Sequence, residues 1–298
     1  MEIKSRKAVF AGKWYSKDPT KLKEDISKFL TEAERIPEYE SLKSIIVPHA
    51  GYYFTGAMSG LSYVNIDPAK FNRVVLLGPS HPTFIQGIAI TTATNYETPI
   101  GDISIDVEEV KKLSKIEGFH EISLEIDEAE HSIEMQCPFL RYIFGEKDFK
   151  LIPLIVGKTN LEQDRKYAEI LAEYYAQPET LFVISTDFCH WGVQFRFIYH
   201  DSSKYKYVYE SIESLDRIGM DIIQGISADN FNKYLLKYNN SICGRRAISV
   251  LLTTIEEYLK LGKKKNCVIK FLKYENSSKI KDIRECSVAY AAGINTIN

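Results

Sequence analysis

The sequence predicts an α/β fold, a single domain over residues 1–298 with a largely parallel central sheet and helices on both faces. Apolar runs of strand length recur along the chain, and several are continuous rather than alternating, as strands covered on both faces are. Between them lie segments with apolar residues three and four apart, the spacing of a helix with one buried face. No Gly/Ser/Pro-rich linker, low-complexity tract or repeat with a period of about 20–50 residues divides the chain, so one domain is the simplest organisation.

In chain order, a helical pattern at 20–33 precedes apolar runs at 44–47 and 74–77. Helical patterns follow at 107–117 and 131–144, then a run at 151–156, a helix at 161–176 and a run at 181–184. The last third reads as helices at 205–224 and 243–260 and strands at 268–272 and 288–292. The densest charge, Lys263 to Lys265, falls between a helix and a strand and reads as a solvated turn.

Composition narrows the function classes. The 298 residues are 45% hydrophobic and 26% charged, the balance of a soluble globular chain. A net charge of -2, from 38 Lys+Arg against 40 Asp+Glu, supplies no global field for a polyanion, and no local basic tract suggests nucleic acid. No stretch reaches the roughly 18–20 apolar residues of a membrane span, and the first residues lack a signal-peptide core. A cytoplasmic protein is expected, with access to the nucleus left open. Five cysteines without a CxxC pair suit reduced thiols. GxGxxG, GxxxxGK[ST] and GxSxG are all absent, so neither nucleotide binding nor serine hydrolysis has support.

Three apolar runs end alike. His49 lies just past the run in IIVPHAGY, His81 just past that in VVLLGPSHP, and Asp187 and His190 follow the run in FVISTDFCHWG. Ligands of open α/β sheets bind outside the carboxyl ends of parallel strands, where side chains from neighbouring strands can converge. A single loop histidine is more often a structural hydrogen-bonding residue, and strand order is not written in the sequence. Three of six histidines in the equivalent place nevertheless argue for a shared site for a metal or a proton. Asp187 can ligate a metal, orient an imidazole, or simply close a turn.

Cys243 lies in NNSICGRRAISVLL, where Asn240 or Ser241 can cap a helix with a buried stripe of Ile248, Leu252, Ile255 and Leu259. A helix start beside Arg245 and Arg246 favours thiolate, hence a soft ligand or redox group; a small buried residue at a tight turn is the competing reading. Cys137, Cys189, Cys267 and Cys286 read as packing. His131 and Glu134 are three apart and can meet a common ligand, although a solvated polar face is the simpler reading. Tyr52, Tyr53, Trp14 and Tyr15 can wall a pocket, with core packing the default.

Seven blocks carry a family resemblance: AGKWY at 11–15, VPHAGY at 47–52, LGPSH at 77–81, EHSIEM at 130–135, STDFCHWG at 185–192, ICGRR at 242–246 and SVAYAAG at 287–293. In these blocks, and over nearly the whole chain, the sequence resembles the Memo family, named as mediators of ErbB2-driven cell motility. The resemblance implies a fold like that of class III extradiol (non-haem iron) dioxygenases and a pocket for iron or copper. It places metal ligands at His49, His81 and Cys243, with Asp187 and His190 lining the same pocket; there His190 is the expected catalytic acid/base, Asp187 its catalytic partner that orients or ligates, and Tyr52, His131, Glu134 and Arg245 are further candidates for the pocket wall. A cysteine where dioxygenases use a carboxylate softens the site, so ring-cleaving chemistry does not simply carry over. The resemblance also implies a signalling adaptor that binds phosphotyrosine-containing peptides or cytoskeletal regulators.

Overall fold

In the computed structural model, which describes residues 3–36, 41–262 and 266–297, the alternation of runs and helices folds into one mixed sheet. Its strands are β1 (Ser5–Arg6), β2 (Leu42–Val47), β3 (Arg73–Pro79), β4 (Ile88–Ile90), β5 (Asn95–Tyr96), β6 (Ile103–Ile105), β7 (Phe119–Glu121), β8 (Lys150–Val156), β9 (Thr180–Ser185), β10 (His190–Trp191), β11 (Cys267–Asn276) and β12 (Ser287–Ile297). The helices are α1 (Pro19–Thr31), α2 (Tyr52–Tyr63), α3 (Val107–Leu113), α4 (Leu124–Ala129), α5 (His131–Glu134), α6 (Cys137–Phe144), α7 (Leu161–Ala176), α8 (Val208–Gln224), α9 (Ala228–Tyr238) and α10 (Arg245–Lys260).

The sheet runs β1-β5-β6-β8-β3-β9-β2-β12-β10, with β11 pairing β12 and β4 bridging β8 and β7. From β6 through β8, β3 and β9 to β2 every pairing is parallel, and β12 then adds on antiparallel. All of β2 and β9, and all but the first residues of β3 and β8, are buried on both pleat faces, which requires cover on both. α7 and α10 pack together against β9, while α1 and α2 pack together and α2 meets β2 and β12. Among the described residues no helix is long and apolar enough to cross a membrane.

Several elements differ from the sequence reading. The pattern at 131–144 breaks into α5 and α6, because Pro138 has no N–H to return to the Glu134 carbonyl. α2 was not foreseen: its sequence, YYFTGAMSGLSY, carries no charge and is buried on most sides, so no polar stripe marks it. A Cβ at Gly60 would come within 2.3 Å of the Phe29 carbonyl oxygen, so glycine lets α1 lie directly on α2. α9 and the short strands β4 to β7 also lie outside the predicted runs. The Lys263 to Lys265 turn lies outside the described residues.

Candidate functional site

Strand order brings the sequence-predicted residues together. β3, β9 and β2 are consecutive and parallel, so their carboxyl ends, which lead into His81, Asp187 and His49, lie side by side. Val47 pairs with Ser185, and the Thr186 N–H donates to the Val47 carbonyl, which places His49 against Asp187. The His49 N–H donates to Asp187 Oδ1 at 2.9 Å.

Cys243 arrives from a distant part of the chain. A Cβ on Gly244 would sit 2.3 Å from the Thr186 side chain and 2.8 Å from the Ser185 carbonyl oxygen, so only glycine allows this approach. The Gly244 N–H donates to Thr186 Oγ1. As a result Cys243 Sγ lies 3.2 Å from His49 Nε2 and accepts from the Asp187 N–H at 3.1 Å.

Hydrogen bonding orients each imidazole. Ser185 Oγ donates its single proton to the Ser132 carbonyl at 2.7 Å, so it must accept from His49 Nδ1 at 2.8 Å. His49 is therefore the Nδ1–H tautomer, with a bare Nε2 facing Cys243. His81 Nδ1 donates to Glu130 Oε1 at 2.8 Å, and His190 Nδ1 donates to the Phe188 carbonyl at 2.9 Å. Three histidines are thus fastened through Nδ1 to a hydroxyl, a carboxylate and a carbonyl, and on His49 the second nitrogen, Nε2, meets the Cys243 sulphur.

Burial and the neighbouring charged His81 ring hold His49 well below its ordinary pKa, hence neutral. For His81 burial opposes the charge, but hydrogen bonds to Cys243 and Glu130 outweigh it and hold the imidazole at about 10. His131 stacks on His81 with ring centroids 4.1 Å apart, and burial together with that neighbour lowers it to about 4. Two stacked imidazoles that close cannot both carry charge, so the proton stays on His81, which is hydrogen-bonded to Glu130 at 2.8 Å, whereas His131 lies 3.7 Å from the same oxygen. Burial raises Asp187, opposed by His190 and by N–H donors. Burial also pushes the Cys243 thiol up, against the effect of His81. This corrects the expectation that a helix start and two arginines would favour thiolate: desolvation outweighs them, and Arg245 turns its guanidinium to the Ile242 carbonyl.

A cavity of about 680 Å³ opens over these residues. His49, His81, Asp187, His190, Cys243, His131 and Arg245 line it, together with Trp14, Phe195, Arg196, Phe197 and Ser241. Tyr52 and Glu134, expected in the pocket, do not line it. Tyr52 is buried in the core and donates to the Met135 carbonyl at 2.8 Å. Glu134 is only 1% exposed, so it is not a solvated face either: it accepts from Arg6 Nη1 at 2.6 Å and from Tyr15 OH at 2.8 Å. Trp14 leaves the core for the cavity wall, 4.6 Å from the His131 ring, and Tyr53 is 93% exposed. Cys137, Cys189 and Cys267 are buried as expected, but Cys286 is exposed.

Sequence reasoning passed over the residues that do the fastening. Glu130 directly precedes His131 and was the nearest carboxylate in sequence to that candidate. Ser185 gave no signal. Ser241, expected as a helix cap, instead accepts from the His190 N–H and donates to the His190 carbonyl, while α10 starts after Gly244 without a side-chain cap.

Two overlapping sets of donor atoms are spaced as metal ligands would be, neither of them the expected set of His49, His81 and Cys243. The ligand atoms of His49, His81 and His131 lie within 4.8 Å of one another, as do those of His49, Asp187 and Cys243, so His49 is common to two overlapping groups. Ligands held at about 2.0–2.3 Å from one ion need only small side-chain adjustments from such spacings.

Fold and site together define an α/β protein with a histidine–cysteine cluster at the carboxyl ends of parallel strands. The chain belongs to the Memo family: residues 6–294 match the family described as Memo-like protein. It is 40% identical over 290 residues to Protein MEMO1 of Danio rerio, covering 97% of this chain and 96% of the relative. Protein MEMO1 of Homo sapiens is 38% identical over 295 residues, 98% of each chain. The memo-1 homolog of Caenorhabditis elegans is 35% identical, covering 97% of this chain and 82% of its own length. Among solved structures, uncharacterized protein JW3007 from Escherichia coli K12 superimposes with a TM-score of 0.50 at 10% identity, over 86% of this chain and 99% of that one, which bears on the fold alone.

Proposed function

We propose that this protein binds iron or copper through His49, His81 and Cys243 and supports metal-dependent oxidoreductase chemistry in the cavity above them. The observation that carries this reading is the shared orientation of the imidazoles: Nδ1 is anchored in each, and the bare His49 Nε2 faces the Cys243 sulphur at 3.2 Å. Two imidazoles and one thiolate make a soft, mixed donor set suited to copper or iron rather than to calcium or magnesium. Bound there, such an ion supplies Lewis acidity and one-electron redox capacity. His190, fixed through Nδ1, presents Nε2 to the cavity as a proton carrier. Asp187 holds the His49 backbone and donates its own N–H to the cysteine sulphur, which keeps both donors in place.

The test is metal stoichiometry after reconstitution under reducing conditions, for the parent chain, His49→Ala and Cys243→Ser. One equivalent of iron or copper is expected in the parent, with at least tenfold weaker binding in either variant. Unchanged stoichiometry and affinity in both variants would end the ligand assignment. Oxygen uptake with catechols or a simple reductant should then depend on metal and vanish in His190→Ala.

A second reading rests on the cavity rim, where Trp14, Phe195 and Phe197 stand near Arg196 and Arg245. Aromatic walls with guanidinium groups suit a phosphotyrosine-type side chain, as in a signalling adaptor acting in motility or growth. A preference for phosphorylated over unphosphorylated peptide that survives removal of the metal and of Cys243 belongs to this reading.

A further inference from the structure

A second cavity, of about 380 Å³, shares Cys243 and Arg245 with the histidine cavity. Its other walls bring Lys158 and Arg246 to the same hollow, with Phe84 at its edge, 76% exposed. Among the described residues no carboxylate lines it. Its size falls within the range of about 300–1,000 Å³ typical of small-ligand sites.

The cations of this hollow are poorly neutralised. Among the described residues, Lys158 and Arg245 form no ion pair. For Arg246 the nearest carboxylate oxygen, Asp164 Oδ2, is 4.0 Å away and already accepts from Ser249 Oγ at 2.6 Å. The hydrogen bond from Arg245 to the Ile242 carbonyl, 2.8 Å long, fixes the guanidinium in place without cancelling its charge. Three like charges around one concavity focus a positive potential where a small anion can enter, on a chain whose net charge is -2.

We propose that this hollow, walled by Lys158, Arg245 and Arg246, binds the anionic group, carboxylate or phosphate, of a small substrate whose other end reaches Cys243 and the histidines. The reach to the histidines rests on the metal-site reading above; the anion site stands on its own cations. Guanidinium and ammonium donors bind multi-oxygen anions through charge-assisted hydrogen bonds, and the shared Cys243 and Arg245 make the two cavities neighbours. The site thus selects for two-ended molecules, with a donor or oxidisable group at one end and an anion at the other.

The experiment is calorimetric titration of the full metal-free chain with inorganic phosphate and, separately, with succinate, at constant ionic strength. The parent is compared with Lys158→Glu, Arg246→Gln and the double variant, each checked for an unchanged thermal transition. Should Arg246→Gln melt early because Asp164 loses its cation, Lys158→Glu, a solvent-exposed change, carries the test alone. Binding of at least one anion is expected, with Kd raised about tenfold or more by Lys158→Glu and further in the double variant. The anion bound more tightly identifies the substrate's charged group. No binding of either anion by the parent, or a Kd for Lys158→Glu within about twofold of the parent, overturns the proposal. Iron and copper uptake is measured on the same samples. A parent that binds anion but no metal removes the metal reading and leaves this one, and a parent that binds metal but neither anion does the reverse.

Discussion

Arg6 and His49 are both about 1% exposed, yet their surroundings follow opposite rules. The Arg6 guanidinium lies 3.1 Å from Asp127 and 2.6 Å from Glu134 and also donates to the Asp127 and Glu130 carbonyls. Tyr96 and Thr91 donate to Asp127, and Tyr15 to Glu134, so each charge in that cluster is met. Around His49 the arrangement is open: Nδ1 is anchored on three histidines, His49 Nε2 meets a cysteine sulphur, and all of these residues border a cavity. A buried cluster that closes on itself holds the chain in place, whereas one whose anchored rings border a cavity leaves room beside them. The two clusters meet in the segment that carries Glu134 to Arg6 and Glu130 to His81.

The largest effect is expected in the sealed cluster. Arg6→Ala leaves two carboxylates buried without their cation and should cost about 3–5 kcal/mol of unfolding free energy in urea titrations. A loss below about 1 kcal/mol would mean that the cluster is not structural in this sense.

Asp216 sharpens the contrast, because it is buried with neutral donors only: Asn240, Tyr274 and the Cys189 N–H. Burial outweighs those donors and raises it to about 7. The folded chain therefore keeps a proton that the unfolded chain releases near pH 4, so this group's contribution falls as pH rises from about 4 to about 7 and is level above. Asp216→Asn should remove that slope. The stability of the parent relative to the variant should decline across the window by on the order of 2–4 kcal/mol in urea titrations at stepped pH, and parallel curves would refute it.

The smallest expected effect tests the open side. Glu130→Gln keeps the shape but removes the charge behind His81, and should weaken iron or copper binding about 10–100-fold, read by competition with a chelator. An affinity equal to the parent's would show that the carboxylate does not tune the histidine.

Much of this molecule was legible as sequence. The apolar runs at 44–47, 74–77, 151–156 and 181–184 are the core of the parallel sheet, because a strand covered on both faces must be apolar at every position. The blocks carrying His49, His81, Asp187 and His190 followed from where those runs end. Other features left little trace. The uncharged helix α2 lacks the periodic contrast that marks a surface helix. The polar pair His131 and Glu134 splits, one residue facing the cavity and the other a guanidinium from more than a hundred residues upstream.

The sequence by itself determined the alternation of buried strands and amphipathic helices, the strand-end positions of the histidines and the family, since each depends on residue type and local spacing. Tertiary structure alone decided that β3, β9 and β2 are neighbours, that Glu130 and Ser185 set the imidazole tautomers, and that Cys243 meets His49 across 194 residues of chain. It also decided the protonation of that cysteine. The charges near a thiol can be read from its sequence neighbours, but desolvation depends on what the rest of the fold packs around it, and here desolvation is the larger effect.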